Sequence, residues 1–196
     1  MEAGGPVAWE GDERFEVRVV SGPAEMEAVL REHHGGGYSA RISAGYCWPW
    51  GDPAPDGRLP DDVVVGDWRR PWNNKKDTAS GGAPGRPYWS SDRAGFGQVG
   101  CVYTAQGFEY DWSGVILGGD LVWRTDRWVP QPGKSFDTQV KRASLADFDR
   151  AVRNTYKVLL TRGMLGSLVC STDPETQELL VAMVRGPRVP AGFRHG

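Results

Sequence analysis

From Phe15 to Val20 apolar and polar residues alternate, the period-two pattern of a half-buried strand, and the period then lengthens. Ser21 and Pro23 supply a helix start, Met26, Val29 and Leu30 fall on one face, and a run of three glycines stops the helix. Four short runs follow: SARISAGYC, DDVVVGDW, QVGCVYT and GVILGGDL. Each is β-branched or aromatic and bounded by Gly, Pro or Asp, so each reads as a strand. From Ser144 the helical period returns, with Phe148, Val152, Tyr156 and Leu159 on one face, Ser144 and Asp147 spaced as a capping pair, and Gly163 as the stop. A strand, SLVCST, comes next, and the following helix opens with Asp173 as cap and Pro174 at its first position. Strands alternating with helices predict an α/β domain with a mainly parallel sheet and helices on both faces.

The intervening segments 51–60 and 73–97 are too polar and too rich in Gly and Pro for regular elements, and they predict long loops, either disordered or functional. The stretch LVWRTDRWVPQPGKSFD reads as an inserted β-hairpin and loop. The domain is expected to span residues 15–188, with 1–14 a flexible leader and 189–196 a disordered tail. A chain of 196 residues fits one such domain without staples.

Charge alters this picture little: 23 basic against 25 acidic residues leave a formal charge of −2, so any basic surface must be local. Cys47, Cys101 and Cys170 are odd in number, widely spaced and set in apolar runs, which fits reduced, buried thiols of a cytoplasmic protein better than disulfides or a zinc site. No apolar run approaches membrane-spanning length. His33 and His34 are adjacent on a helix and point about 100° apart, so no metal site is expected there.

Candidate chemistry concentrates in two places. In CVYTAQGFEYDWSGVIL an apolar run reaches Thr104, turns through Gln106 and Gly107, and passes Glu109 and Asp111 before the next apolar run. A strand ending at Thr104 would set Gln106, Glu109 and the turn amides at the carboxyl edge of the sheet, where α/β proteins bind ligands. The second place is the end of the long helix, where Thr161 and Arg162 stand; an arginine there suits a phosphoryl group. Each has a plainer reading, since a Gly-x-Glu-x-Asp turn can merely be solvated and an arginine can complement a helix dipole. Trp48, Trp50, Trp68 and Trp72 could be core, but their place beside prolines and basic residues favours a partly exposed stacking platform for unpaired bases, with Arg69, Arg70, Lys75 and Lys76 on the phosphates.

VYTAQGFEYD resembles motif V of superfamily 1 helicases, and YKVLLTRGM resembles motif VI, in the order and separation those motifs have. The flanking ARISAGYCWPW, VGDWRRPWN and NTYKVLLTRGMLGSLVCSTDPET are similar to the C-terminal helicase portion of the Schlafen group 3-like DNA/RNA helicase family, over about Phe15 to Val184. That resemblance implies a RecA-like fold of the P-loop NTPase superfamily, here the second lobe of a two-lobed motor that closes over ATP and Mg2+. It implies that Gly107 and Glu109 face the nucleotide, with Glu109 near the ribose, and that Arg162 is an arginine finger. Thr104 and Gln106 would then couple the nucleotide to single-stranded DNA or RNA; Thr161 beside the arginine, and Trp68, Arg69, Arg70 and Trp72 of the platform, are the further candidates for contact with the strand.

No Gly-x-x-x-x-Gly-Lys-[Ser/Thr] occurs; PGKS at 132–135 imitates its end, but Trp128 stands where the first glycine belongs. Nor does an Asp-Glu pair follow a buried strand. The expectation is therefore half an ATP site, completed by an N-terminal RecA-like lobe from elsewhere, and no hydrolysis by the chain alone. The alternative is a non-catalytic nucleic-acid-binding or protein-interaction module that keeps the fold. A third reading is a small-molecule or phosphate binder at the same sheet edge.

Overall fold

The structure is a computed structural model that describes residues 7–184. Of the segment 1–14 expected to be flexible, residues 1–6 fall outside the described residues, as does the tail 189–196 expected to be disordered. In chain order the elements are β1 (Glu16–Val19), α1 (Pro23–Gly35), β2 (Ala40–Ala44), β3 (Val63–Val65), β4 (Trp68–Arg70), β5 (Val99–Gly100), α2 (Val102–Ala105), β6 (Tyr110–Leu117), β7 (Leu121–Arg124), β8 (Arg127–Pro130), α3 (Leu145–Leu160), β9 (Gly163–Ser171) and α4 (Pro174–Val184). Five strands form one sheet in the order β1-β9-β6-β2-β5, and every pairing in it is parallel. This is the α/β, RecA-like arrangement that the strand–helix alternation and the resemblance both anticipate.

The two faces of the sheet follow from strand alternation. Ile116, Leu168 and Cys170 point to the face covered by Met26 and Leu30 of α1, while their neighbours Val115, Leu117 and Val169 point to the opposite face. There Phe148, Val152, Tyr156 and Leu159 of α3 pack, with Ala105 of α2 and Leu180 of α4 beside them. All four of those α3 residues are buried, as their 3.6-residue spacing predicts. The helix starts also follow the sequence. Ser144 Oγ accepts from Asp147 N at 3.2 Å, Asp173 Oδ1 accepts from Thr176 N at 2.9 Å, and Ser21 donates both its amide and its hydroxyl to Glu25 at 2.8 Å.

Three readings need correction. The run QVGCVYT is not one strand: β5 ends at Gly100, and Val102–Ala105 form a single helical turn, because only Val99 and Gly100 find a partner strand in β2. The run DDVVVGDW folds back at Gly66, whose φ of +59° is cheap only for glycine, and becomes a separate two-stranded ribbon, β3 against β4. Gly163 does not merely stop α3, which ends at Leu160; it opens β9. A Cβ on Gly163 would lie 2.2 Å from Gly166 O, so the chain can tighten from helix into strand there only without a side chain. The expected hairpin within 121–130 is present as β7 against β8, turning at Thr125 and Asp126.

The long segment 73–97 is packed rather than loose. Trp89 is fully buried, and its ring lies so close to β5 that a Cβ on Gly100 would stand 2.3 Å from it. Arg41, in the middle of β2 and 1% exposed, reaches across to hold this segment. Its Nε donates to Trp89 O at 2.7 Å, Nη2 to Asp92 O at 2.5 Å and Nη1 to Ala40 O at 2.6 Å. Burial lowers its pKa to about 10, still high enough for the guanidinium to be charged at neutral pH.

Trp72, 1% exposed and bonded through Nε1 to Pro49 O at 2.8 Å, anchors the other loop segment. Trp72→Ala is expected to lower the unfolding free energy by about 3–5 kcal/mol in urea titrations. Tyr88→Ala, which removes an exposed ring, is expected to stay within about 0.5 kcal/mol of the parent.

Candidate functional site

The parallel register of β6 and β9 pairs Tyr110 with Gly163, and therefore brings the residues just before each strand together. These are the turn Gln106–Glu109 and the helix end Thr161–Arg162. Both lie at the amino edge of the sheet, so the expectation that Gln106 and Glu109 sit at the carboxyl edge is overturned. The physical reason is that α2 carries the chain back across the sheet before Gly107, at φ +86°, turns it into β6. No atom lies within 4 Å of a Cβ placed on Gly107, so its glycine is required by backbone angle and not by crowding.

Arg162 is half-buried and lies over this turn. Nε donates to Val158 O at 2.9 Å, Nη1 to Phe108 O at 3.3 Å and Nη2 to Thr161 Oγ1 at 3.1 Å, while Arg162 O accepts from Tyr110 N at 3.1 Å. All three acceptors of the guanidinium are neutral. No carboxylate within the described residues pairs with it, and the exposed Glu109 and Gln106 side chains make no hydrogen bond there either. The result is an un-neutralised planar cation beside a free carboxylate and a free amide, an arrangement able to grip a phosphoryl oxygen on one side and accept from a hydroxyl on the other.

The remaining candidates lie elsewhere. Thr104 is buried, its hydroxyl donating to Asn73 Oδ1 at 3.0 Å, just beyond β5. The platform residues are tied into the fold. Trp72 is core, and Trp48, Trp50 and Trp68 are half-buried and packed against the same cluster. Trp68 Nε1 donates to Glu27 Oε2 at 2.7 Å and Arg70 Nη2 to Glu27 Oε1 at 2.6 Å; Arg31 pairs with the same carboxylate. Burial would raise the pKa of Glu27, but the hydrogen bonds from Arg70 and Trp68 and the two positive charges outweigh it and hold the carboxyl below its ordinary value. Lys75 pairs with Asp52 at 3.1 Å, which leaves Arg69 and Lys76 as the exposed cations of this group without an ion-pair partner in the described structure.

The carboxyl edge holds a cluster that the sequence did not reveal. Asp120, 3% exposed, follows Gly118 and Gly119. Its Oδ1 accepts from Tyr156 Oη at 2.5 Å, and the same hydroxyl accepts from Gly118 N at 2.8 Å. Burial raises the Asp120 pKa against the hydrogen bonds that favour the carboxylate, and burial likewise raises those of Tyr156 and Cys47. Outside it a groove of about 590 Å³ is lined by Cys47, Trp48, Gly119, Arg124, Lys134 and Asp173. Arg124 grips Asp173 with two bonds of 2.8 and 2.6 Å, holding that carboxyl at a pKa of about 2. Lys134, the lysine of PGKS, ends a single 3-10 turn after the β7–β8 hairpin rather than opening a helix after a strand.

The parallel α/β sheet thus brings a turn and a helix-end arginine together at one edge, and the family match makes this a helicase-type domain of a family associated with nucleic acids. Its family follows from sequence: the profile of the Schlafen group 3, DNA/RNA helicase domain matches residues 2–173, which include the whole amino-edge site, and the chain belongs to that family. A relative in Saccharomyces cerevisiae, the uncharacterized protein YPL245W, is 31% identical over 102 residues, covering 47% of this chain and 22% of the yeast protein. The chain thus spans about a fifth of that relative's length. No solved structure matches it.

The Asp120 cluster gives a pH signature. A carboxyl whose folded pKa is raised adds stability at pH below its unfolded value, and that stability is lost as pH rises through the folded pKa. Asp120→Asn is therefore expected to be most destabilising near pH 4 and less so at pH 7. Urea unfolding of both proteins at the two pH values measures the difference, and a penalty independent of pH would show that Asp120 titrates alike in folded and unfolded chains.

Proposed function

We propose that this chain is the second RecA-like lobe of a superfamily 1-like, nucleic-acid-dependent ATPase or helicase, contributing motif V and an arginine finger to an ATP site whose phosphate- and magnesium-binding half lies on another lobe. The observation that carries the reading is the contact of Arg162 with Phe108 O, which sets a guanidinium free of carboxylates against the Gln106–Glu109 turn. In this reading Arg162 meets the γ-phosphate charge as it develops. Glu109 accepts from the ribose and Gly107 lets the backbone approach. Gln106 and Thr161 couple the nucleotide to a single strand of DNA or RNA. Thr104 acts through its hydrogen bond to Asn73, which ties α2 to the loop carrying Trp72. Arg69 and Lys76 are the basic residues of this group left to touch phosphate, because Arg70 is engaged by Glu27 and Lys75 by Asp52.

A lobe of this kind binds single strands without turning over ATP. Anisotropy titration with labelled single-stranded DNA and RNA is expected to show binding that weakens with salt, and weakens further in Arg69→Ala and Gln106→Ala variants of unchanged melting temperature. Phosphate release by the isolated chain, with ATP, magnesium and either strand, is expected to stay at background. Turnover abolished by Arg162→Ala would show a complete site on this chain, and absence of binding to both strands at low salt would remove the nucleic-acid role.

A further inference from the structure

On the face of the sheet that carries α3 and α4, these two helices do not close against each other. Between them lies a cleft of about 680 Å³, within the roughly 300–1,000 Å³ typical of small-molecule sites. Val17 of β1 and Val169 of β9 form part of its floor, and Leu160 of α3 faces Leu180 and Met183 of α4 across it. Trp9 lines one side, where its backbone amide donates to Met183 O at 2.7 Å. Tyr156 adds only its ring, since its hydroxyl is engaged with Asp120.

The charged lining is of one sign. Arg153 and Lys157, four residues apart on α3 and so on one face of that helix, line the cleft, and no carboxylate among the described residues does. Arg153 is partly engaged, with Asp149 at 2.7 Å and Trp128 O at 3.2 Å. Lys157 has no ion-pair or side-chain hydrogen-bond partner among the described residues. An apolar trough with an uncompensated ammonium beside it is complementary to a molecule with an apolar body and one anionic end.

We propose that the α3–α4 cleft is a binding site for an amphipathic monoanion, an acyl chain whose carboxylate rests against Lys157 and Arg153. The cleft shares only Thr161 with the amino-edge site and does not depend on the function proposed for it. Leu160 and Thr161 border the cleft immediately before Arg162, so an occupant would touch the helix end that carries that arginine.

The test uses the full chain and two probes of equal length, dodecanoate and dodecanol, both below their aggregation limits, with calorimetry and intrinsic tryptophan fluorescence as readouts. Dodecanoate is expected to bind saturably at one site, and dodecanol at least about tenfold more weakly, since it lacks the charge facing Lys157. Lys157→Glu is expected to weaken dodecanoate by a similar factor without affecting dodecanol, and Leu180→Trp, which fills the cleft, to abolish both while the melting temperature is kept. Equal affinity for the two probes in the parent protein overturns the anionic end of the proposal independently of any variant. A flat dodecanoate titration overturns the site altogether. Sedimentation as a dimer that Leu180→Trp dissociates overturns it in favour of a second copy of this chain as the occupant.

Discussion

Much of this molecule depends on the parallel pairing of β6 with β9. Tyr110 opposes Gly163 and Trp112 opposes Gly166, so β9 has one residue more than β6 over that interval and bulges at Met164–Leu165. The bulge is possible only because its two ends are glycine. A Cβ on Gly163 would meet the carbonyl of Gly166 at 2.2 Å, and one on Gly166 would meet the Trp112 ring at 2.5 Å. This tight start lets α3 pass into β9 within two residues and holds the Arg162 carbonyl against Tyr110 N. The guanidinium then reaches the turn before β6, where Nη1 meets Phe108 O. Position at the amino edge is thus a consequence of backbone pairing and of two absent side chains.

Behind that edge the fold relies on a buried cation. Arg41 satisfies its charge only with carbonyl oxygens, and two of these belong to the long segment between β4 and β5. A neutral residue in its place would leave those carbonyls without a donor in a buried setting, which costs more than the hydrogen bonds themselves contribute. Glu27 plays the complementary part on the opposite side of the sheet, where one buried carboxylate gathers Trp68, Arg70 and Arg31. The Trp- and Arg-rich loops are therefore fastened to α1 and β2 by single charged side chains. That explains how so many prolines and glycines coexist with fixed positions.

The long periodic elements were legible because burial imposes a period. α3 shows its four buried positions and its cap in the sequence, and α4 shows Asp173 and Pro174. Short elements carry no such constraint: two residues of β5 cannot display a period, so the apolar run QVGCVYT read as strand although half of it is a helical turn. The amino-edge placement was invisible for the same reason, since it depends on where α2 ends. The tryptophans beside proline favoured an exposed platform, and the burial of Trp72 with the hydrogen bonds from Trp72 to Pro49 and from Trp68 to Glu27, distant in sequence, corrects this to packing. Arg41 stands among small and apolar residues in SARISA, and Asp120 directly follows Gly-Gly. Nothing local marks either as buried.

The state in which Arg162 is held bears on what it can do. A guanidinium locked to a carboxylate must exchange one anion for another to meet a phosphate, and the exchange gains little. Arg162 instead rests on two backbone carbonyls and a hydroxyl, acceptors whose net contribution is about 1 kcal/mol apiece. Its charge is aligned with the carboxyl end of α3, where the helix dipole favours a cation, so the side chain is positioned without being neutralised. Glu109, close by in the chain fold, leaves it free. In the proposed function a phosphoryl group would therefore meet a cation already placed by the fold of this chain and not yet paired, which lowers the ordering cost that weakens flexible arginines.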